Sequence, residues 1–145
     1  MFRILLLEDD LKTVVFLSNV FSQLEEKYSP YGILISLTVL SEYIQVNKFE
    51  LQDLKEFDAI LLDRDCKIGG SFHVLPIEGL DPAKIIAISS TPPYNDEARE
   101  RGVIHVVEKD YALLDAFSHN VSVRVESFIK EAMKNALEKP SKNTK

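Results

Sequence analysis

Ile60-Leu61-Leu62-Asp63 is an apolar run that stops on a carboxylate, and the same pattern recurs along the chain. Upstream lies Leu5-Leu6-Leu7-Glu8-Asp9-Asp10; downstream come Ile85-Ile86-Ala87-Ile88-Ser89-Ser90 and Val106-Val107-Glu108-Lys109. Each reads as a strand covered on both faces, since such strands are continuously apolar rather than alternating. In an open parallel α/β sheet, ligands bind at the carboxyl ends of the strands. Carboxylates, a hydroxyl and an amine therefore converge. A hard cation takes oxygen ligands, and an ammonium offsets anionic charge, so this set suits Mg²⁺ and a phosphoryl group.

Composition bounds the reading. A chain of 145 residues with 46% apolar content is sized for one domain with a proper core. The net charge of −6 argues against a nucleic-acid-binding surface as its main business. No apolar run approaches the roughly 18 residues of a membrane span, and no signal peptide opens the sequence. The single cysteine, Cys66, forms no internal disulfide and suits a reducing cytoplasm. His73, His105 and His119 lack metal-ligand spacing.

Strands alternate with helices, as in right-handed βαβ units. The expected elements are a strand over 2–7 and a helix from an Asp10 N-cap to about Lys27. A strand over 33–40 and a weakly patterned helix within 41–57 follow, then a strand over 59–62. Gly69, Gly70, Pro76, Gly79 and Pro82 leave room for only a short helix near 71–75. Strands over 84–89 and 103–107 flank a helix opened by Pro92-Pro93 and closed by Gly102. A last helix from about Asp110 to Glu138 is long enough to outrun the sheet past residue 125. Its stripe of Leu114, Phe117, Val121, Val125, Phe128, Ala132 and Ala136 suggests a homodimer through the C-terminal helix. Residues 139–145 read as a disordered polar tail.

Glu8-Asp9 after strand one, Asp63 after strand three, Ser89 after strand four and Lys109 after strand five together resemble the response-regulator receiver domain of two-component signalling. The resemblance covers residues 2 to 120. It implies a single doubly wound, flavodoxin-like (βα)5 domain with strand order 2-1-3-4-5 over residues 1–125. Residues 126–138 would extend the last helix. It further implies that Asp63 is the phosphoacceptor and that Glu8, Asp9, Asp63 and the backbone carbonyl of Asp65 hold Mg²⁺. Ser89 and Lys109 would then contact the phosphoryl group. The implied donors are a histidine kinase or a histidine phosphotransfer protein, and the output of such a cytoplasmic, stand-alone domain passes through contacts with a target protein or a phosphorelay. Three positions depart from the usual receiver pattern: Val106 replaces an aromatic, Asp110 replaces a cis proline, and Lys67 stands where proline is common.

Two other readings compete. Asp63-Arg64-Asp65 resembles the Asp-x-Asp of haloacid-dehalogenase-type phosphatases, although that family's second acidic cluster follows its lysine and here the acidic pair comes first. A receiver-shaped interaction module independent of phosphorylation would account for the altered positions, but folding alone does not demand all of Glu8, Asp9, Asp63, Ser89 and Lys109.

Overall fold

In the computed structural model, which describes residues 1–64 and 75–138, β1 (Phe2–Leu7), β2 (Ile35–Leu40), β3 (Ala59–Leu62), β4 (Ile85–Ala87) and β5 (His105–Val106) form one sheet. All four pairings are parallel and the order is β2-β1-β3-β4-β5, the doubly wound arrangement expected. Alternation along each strand divides the core. Ile4 and Leu6 of β1, with Ala59 and Leu61 of β3, face α1 (Leu11–Tyr28) and α4 (Leu114–Glu138). Leu5, Leu7, Ile60 and Leu62 point the other way, toward α2 (Leu51–Leu54), α3 (Pro92–Glu100) and short 3-10 turns.

Local chemistry sets the helix ends. The Asp10 carboxylate accepts from the Thr13 backbone N–H at 3.0 Å, so Asp10 is the N-cap of α1. Gly102 follows α3 at φ 99°, a left-handed conformation that glycine adopts without a Cβ clash. The second helix is much reduced from the sequence expectation. A 3-10 turn at Tyr43–Lys48 and the four-residue α2 occupy its span, because Val46, Phe49, Leu54 and Phe57 do not recur at a single helical period. α4 starts at Leu114 rather than near Asp110, because Asp110 instead closes a turn. Its carboxylate accepts from Ala112 N–H, and its carbonyl accepts from Leu113 N–H. The expected short helix near 71–75 and the tail at 139–145 lie outside the described residues, Leu75 excepted, which is buried.

α4 remains packed well beyond residue 125. Val125 and Ile129 are fully buried and Met133 packs against the same core. Glu126 adds a polar tie to α1, accepting from the Tyr28 hydroxyl at 2.5 Å and pairing with Lys27 at 2.6 Å. The stripe that sequence alone leaves bare is therefore covered as far as Ile129 and partly at Met133, while Ala132, Ala136 and Leu137 stay exposed. Leu137, at 87% exposure, is the large apolar side chain of its last turn that stays in solvent. Among the described residues, no helix is long and apolar enough to cross a membrane.

Candidate functional site

The hydrogen-bond ladder runs past the nominal strand ends and carries the polar residues into register. Glu8 N–H donates to Leu40 C=O, Asp63 N–H to Leu7 C=O, Ile88 N–H to Leu62 C=O and Lys109 N–H to Ser89 C=O. Glu8, Asp63, Ser89 and Lys109 thus stand on four adjacent strand ends at one edge of the sheet. All four are buried.

Lys109 sits between two carboxylates. Its Nζ donates to Glu8 Oε1 at 2.5 Å and to Asp63 Oδ2 at 2.8 Å. Glu8 Oε2 accepts from the backbone N–H groups of Asp9 and Asp10 at 3.0 and 3.3 Å, which fixes the carboxylate at the turn into α1. Carboxylate oxygens of Glu8, Asp9 and Asp63 all lie within 4.8 Å of one another. Three oxygen donors at that separation, one of them half-buried, fit a hard divalent cation that keeps part of its water shell.

Two acids sharing one base leave the cluster one negative charge in excess. Burial, then the Asp63 charge and a hydrogen bond shared with it, push the Glu8 carboxyl up to about 8, against the opposing pull of Lys109. Burial alone would lower Lys109, but Asp63 and Glu8 outweigh it and hold the amine above its ordinary value. Lys109 is therefore held as an ammonium between the two acids. A bound cation would supply the missing positive charge.

The sequence points to Ser89 but says nothing of what holds it. Its hydroxyl accepts from Thr91 N–H at 3.1 Å, and the buried amide of Asn95 bonds both its N–H and its C=O. Two more neighbours go unmarked in the sequence. The Tyr111 ring centroid lies 4.9 Å from Lys109 Nζ. The Arg64 guanidinium, next in chain to Asp63, stacks 4.1 Å from the Tyr94 ring centroid and reaches Glu97 at 3.2 Å. Polar residues inside a helix or beside a strand carry no spacing signal that would separate Asn95, Tyr111 and Arg64 from ordinary surface chemistry. The loop after Lys109 dispenses with a cis bond, since the described residues contain none. Asp65, expected to offer its backbone carbonyl, lies outside the described residues, as do Cys66, Lys67 and His73.

Solved structures resemble this one along most of its length. The Mn²⁺-bound form of response regulator Rcp1 aligns with a TM-score of 0.62 at 22% identity, covering 88% of this chain and 94% of that one. A response-regulator receiver domain from Clostridium thermocellum gives 0.60 at 13% identity over 92% and 98%. The non-phosphorylated HemR receiver domain from Leptospira biflexa gives 0.56 at 16% identity over 89% and 94%. The fold is that of a response-regulator receiver. No protein-family model matches the sequence, and no curated protein does. The receiver fold thus comes from the three-dimensional likeness together with the strand-end residues.

Proposed function

We propose that this receiver-fold chain accepts a phosphoryl group on Asp63 in a Mg²⁺-dependent reaction and signals through protein contacts. The observation that carries the reading is the buried Lys109 ammonium held between Glu8 and Asp63, with Asp9 completing a set of oxygen donors. Folding gains little from such an arrangement, since desolvating three charged groups costs several kcal/mol each and their attraction only repays it.

In this reading an Asp63 carboxylate oxygen attacks the donor phosphorus. The bond from phosphorus to the donor's leaving atom breaks, and the electron pair stays with the leaving group. Glu8, Asp9 and Asp63 would hold Mg²⁺, which supplies neutralisation of the phosphoryl oxygens. Lys109 moves from the Asp63 oxygen to the new phosphoryl charge, and the Ser89 hydroxyl donates to one of its oxygens. The backbone carbonyl of Asp65 would complete the metal set. The phosphoryl donor is a histidine kinase or a histidine phosphotransfer protein, and the receiver of the signal is another protein rather than nucleic acid. The setting is the cytoplasm, where Cys66 stays reduced. Phosphorylation and slow hydrolysis of the acyl phosphate are self-catalysed, and sustained turnover of phosphate monoesters is not expected. A homodimer through the end of α4 would bury Leu137 and the neighbouring Tyr31 and Met1; a monomer at high micromolar concentration removes that part of the reading.

Mass spectrometry after incubation with acetyl phosphate and Mg²⁺ tests the proposal. One phosphoryl adduct is expected in the native chain and none in Asp63→Asn, with no adduct when Mg²⁺ is chelated. An undiminished adduct in Asp63→Asn would place the phosphate elsewhere. A native chain that takes no phosphate favours the alternative of a phosphorylation-independent interaction module. Val106, half-buried on β5 where receivers usually carry an aromatic, is the feature that favours that second reading.

A further inference from the structure

One side chain, Asn95, ties α3 to the last residue of the run that continues β4. Asn95 lies near the start of α3 and is 3% exposed. Its Oδ1 accepts from Ser89 N–H at 3.2 Å, and its Nδ2 donates to Ser89 C=O at 2.9 Å. The amide thus satisfies both backbone groups of Ser89, as a neighbouring strand would. The same carbonyl also accepts from Lys109 N–H at 3.2 Å. Three hydrogen bonds therefore fix the Ser89 peptide groups, and one of them comes from the residue that carries the site's amine.

The Ser89 hydroxyl is bound differently. It accepts from Thr91 N–H at 3.1 Å, which uses a lone pair and leaves its proton to be donated. The cavity beside it, lined by Ser89, Tyr94, Asn95 and Ala98 among others, holds about 20 Å³. That space is too small for the corner to repack into. Turning Ser89 about its Cα–Cβ bond moves the hydroxyl off Thr91 N–H while the three bonds to the Ser89 peptide groups are kept.

We propose that Asn95 is the positioning residue for Ser89: its amide fixes the Ser89 backbone, so that the hydroxyl reaches the phosphoryl oxygens by rotation of one side-chain bond. This rests on the reading of Asp63 as phosphoacceptor. Asparagine suits the task because a single planar group offers an acceptor and a donor side by side. The substitution Asn95→Asp keeps the acceptor but sets a second oxygen against the Ser89 carbonyl, so it removes half of the clamp at nearly constant volume. Because the clamp resides on α3, it also ties that helix to the end of β4.

The test is a four-member cycle on the full chain. Rates of phosphoryl adduct formation from acetyl phosphate at saturating Mg²⁺ are compared for the native chain, Asn95→Asp, Ser89→Ala and the double variant. Asn95→Asp and Ser89→Ala are each expected to slow labelling about tenfold or more, since small misplacements near a reacting centre carry losses of that order. The double variant should be no slower than Ser89→Ala beyond about twofold, because a residue acting through Ser89 has nothing left to position. Losses that multiply in the double variant overturn the proposal while leaving Asp63 as acceptor. A native chain that takes no label overturns both. Amide hydrogen exchange of the native chain covers the case in which Asn95→Asp fails to fold: Ser89 N–H is expected to be as protected as Ile88 N–H. Rapid exchange at Ser89 alone overturns the clamp.

Discussion

The two faces of the sheet are built on different scales. One carries α1 over 18 residues and α4 over 25, with aromatic anchors Phe21 and Phe117 closing over β1 and β3. Among the described residues, the other carries the four-residue α2, the nine-residue α3 and 3-10 turns. Long helices bury a continuous stripe and resist local opening, whereas short ones have few buried contacts to lose. The lesson is a division of labour. On that ground the α1/α4 face is expected to supply most of the stability, and the α2/α3 face, to which Asn95 and Arg64 tie the site, to yield first.

That contrast can be broken by cavity-forming substitutions, which should differ between faces. Phe117→Ala is expected to cost about 3–5 kcal/mol in denaturant unfolding, because Phe117 is 2% exposed within the larger core. Leu54→Ala, at 1% exposure on α2, should cost about 2–3 kcal/mol, since the short elements around it can collapse into the space. Equal losses would show that both faces are equally rigid and would end the distinction.

At the seam between the faces, Asp63→Asn should raise stability by about 1–2 kcal/mol near pH 7. It leaves the Lys109 ammonium paired with the single acid Glu8 and removes a charge that pushes Glu8 up to about 8. A lower midpoint in the variant would mean that Asp63 stabilises the resting fold.

The smallest effect is expected at the far end of the thick face. Glu126→Gln should cost about 1 kcal/mol at pH 7, by weakening bonds from Tyr28 and Lys27. Those bonds hold Glu126 below its ordinary 4.5, with the Lys27 bond the larger cause. A carboxylate lowered by folding contributes stability above its unfolded value and loses it as pH falls through the folded one. The difference between native and Glu126→Gln proteins should therefore be full at pH 7 and shrink below about 4.5. A pH-independent difference would assign the effect to packing.

Much of the fold is legible in the residues. Ile60-Leu61-Leu62 and Leu5-Leu6-Leu7 read as strands buried on both faces, and the polar residue closing each run marks the site edge. The segment between β2 and β3 is not legible, because its apolar residues obey no single period and are recruited one at a time by the sheet above them. The fate of α4 is likewise hidden. Periodicity shows that a stripe exists but not that Tyr28 and α1 are placed to cover it. Asn95 is invisible for a further reason: a polar residue in a short helix is ordinarily solvated, and only the tertiary corner turns it inward.

The Arg64–Tyr94 stack gives the molecule an optical property of its own. The chain contains no tryptophan, so its ultraviolet emission comes from five tyrosines with no indole to drain it. Tyr94 lies on α3 with a cation 4.1 Å from its ring centroid, and that cation belongs to the residue beside Asp63. Any movement of α3 away from the end of β3 would separate the two and change the field at the ring, and with it the near-ultraviolet dichroism. The Tyr94 signal is therefore a label-free way to ask whether the acidic site and the thinner face move together.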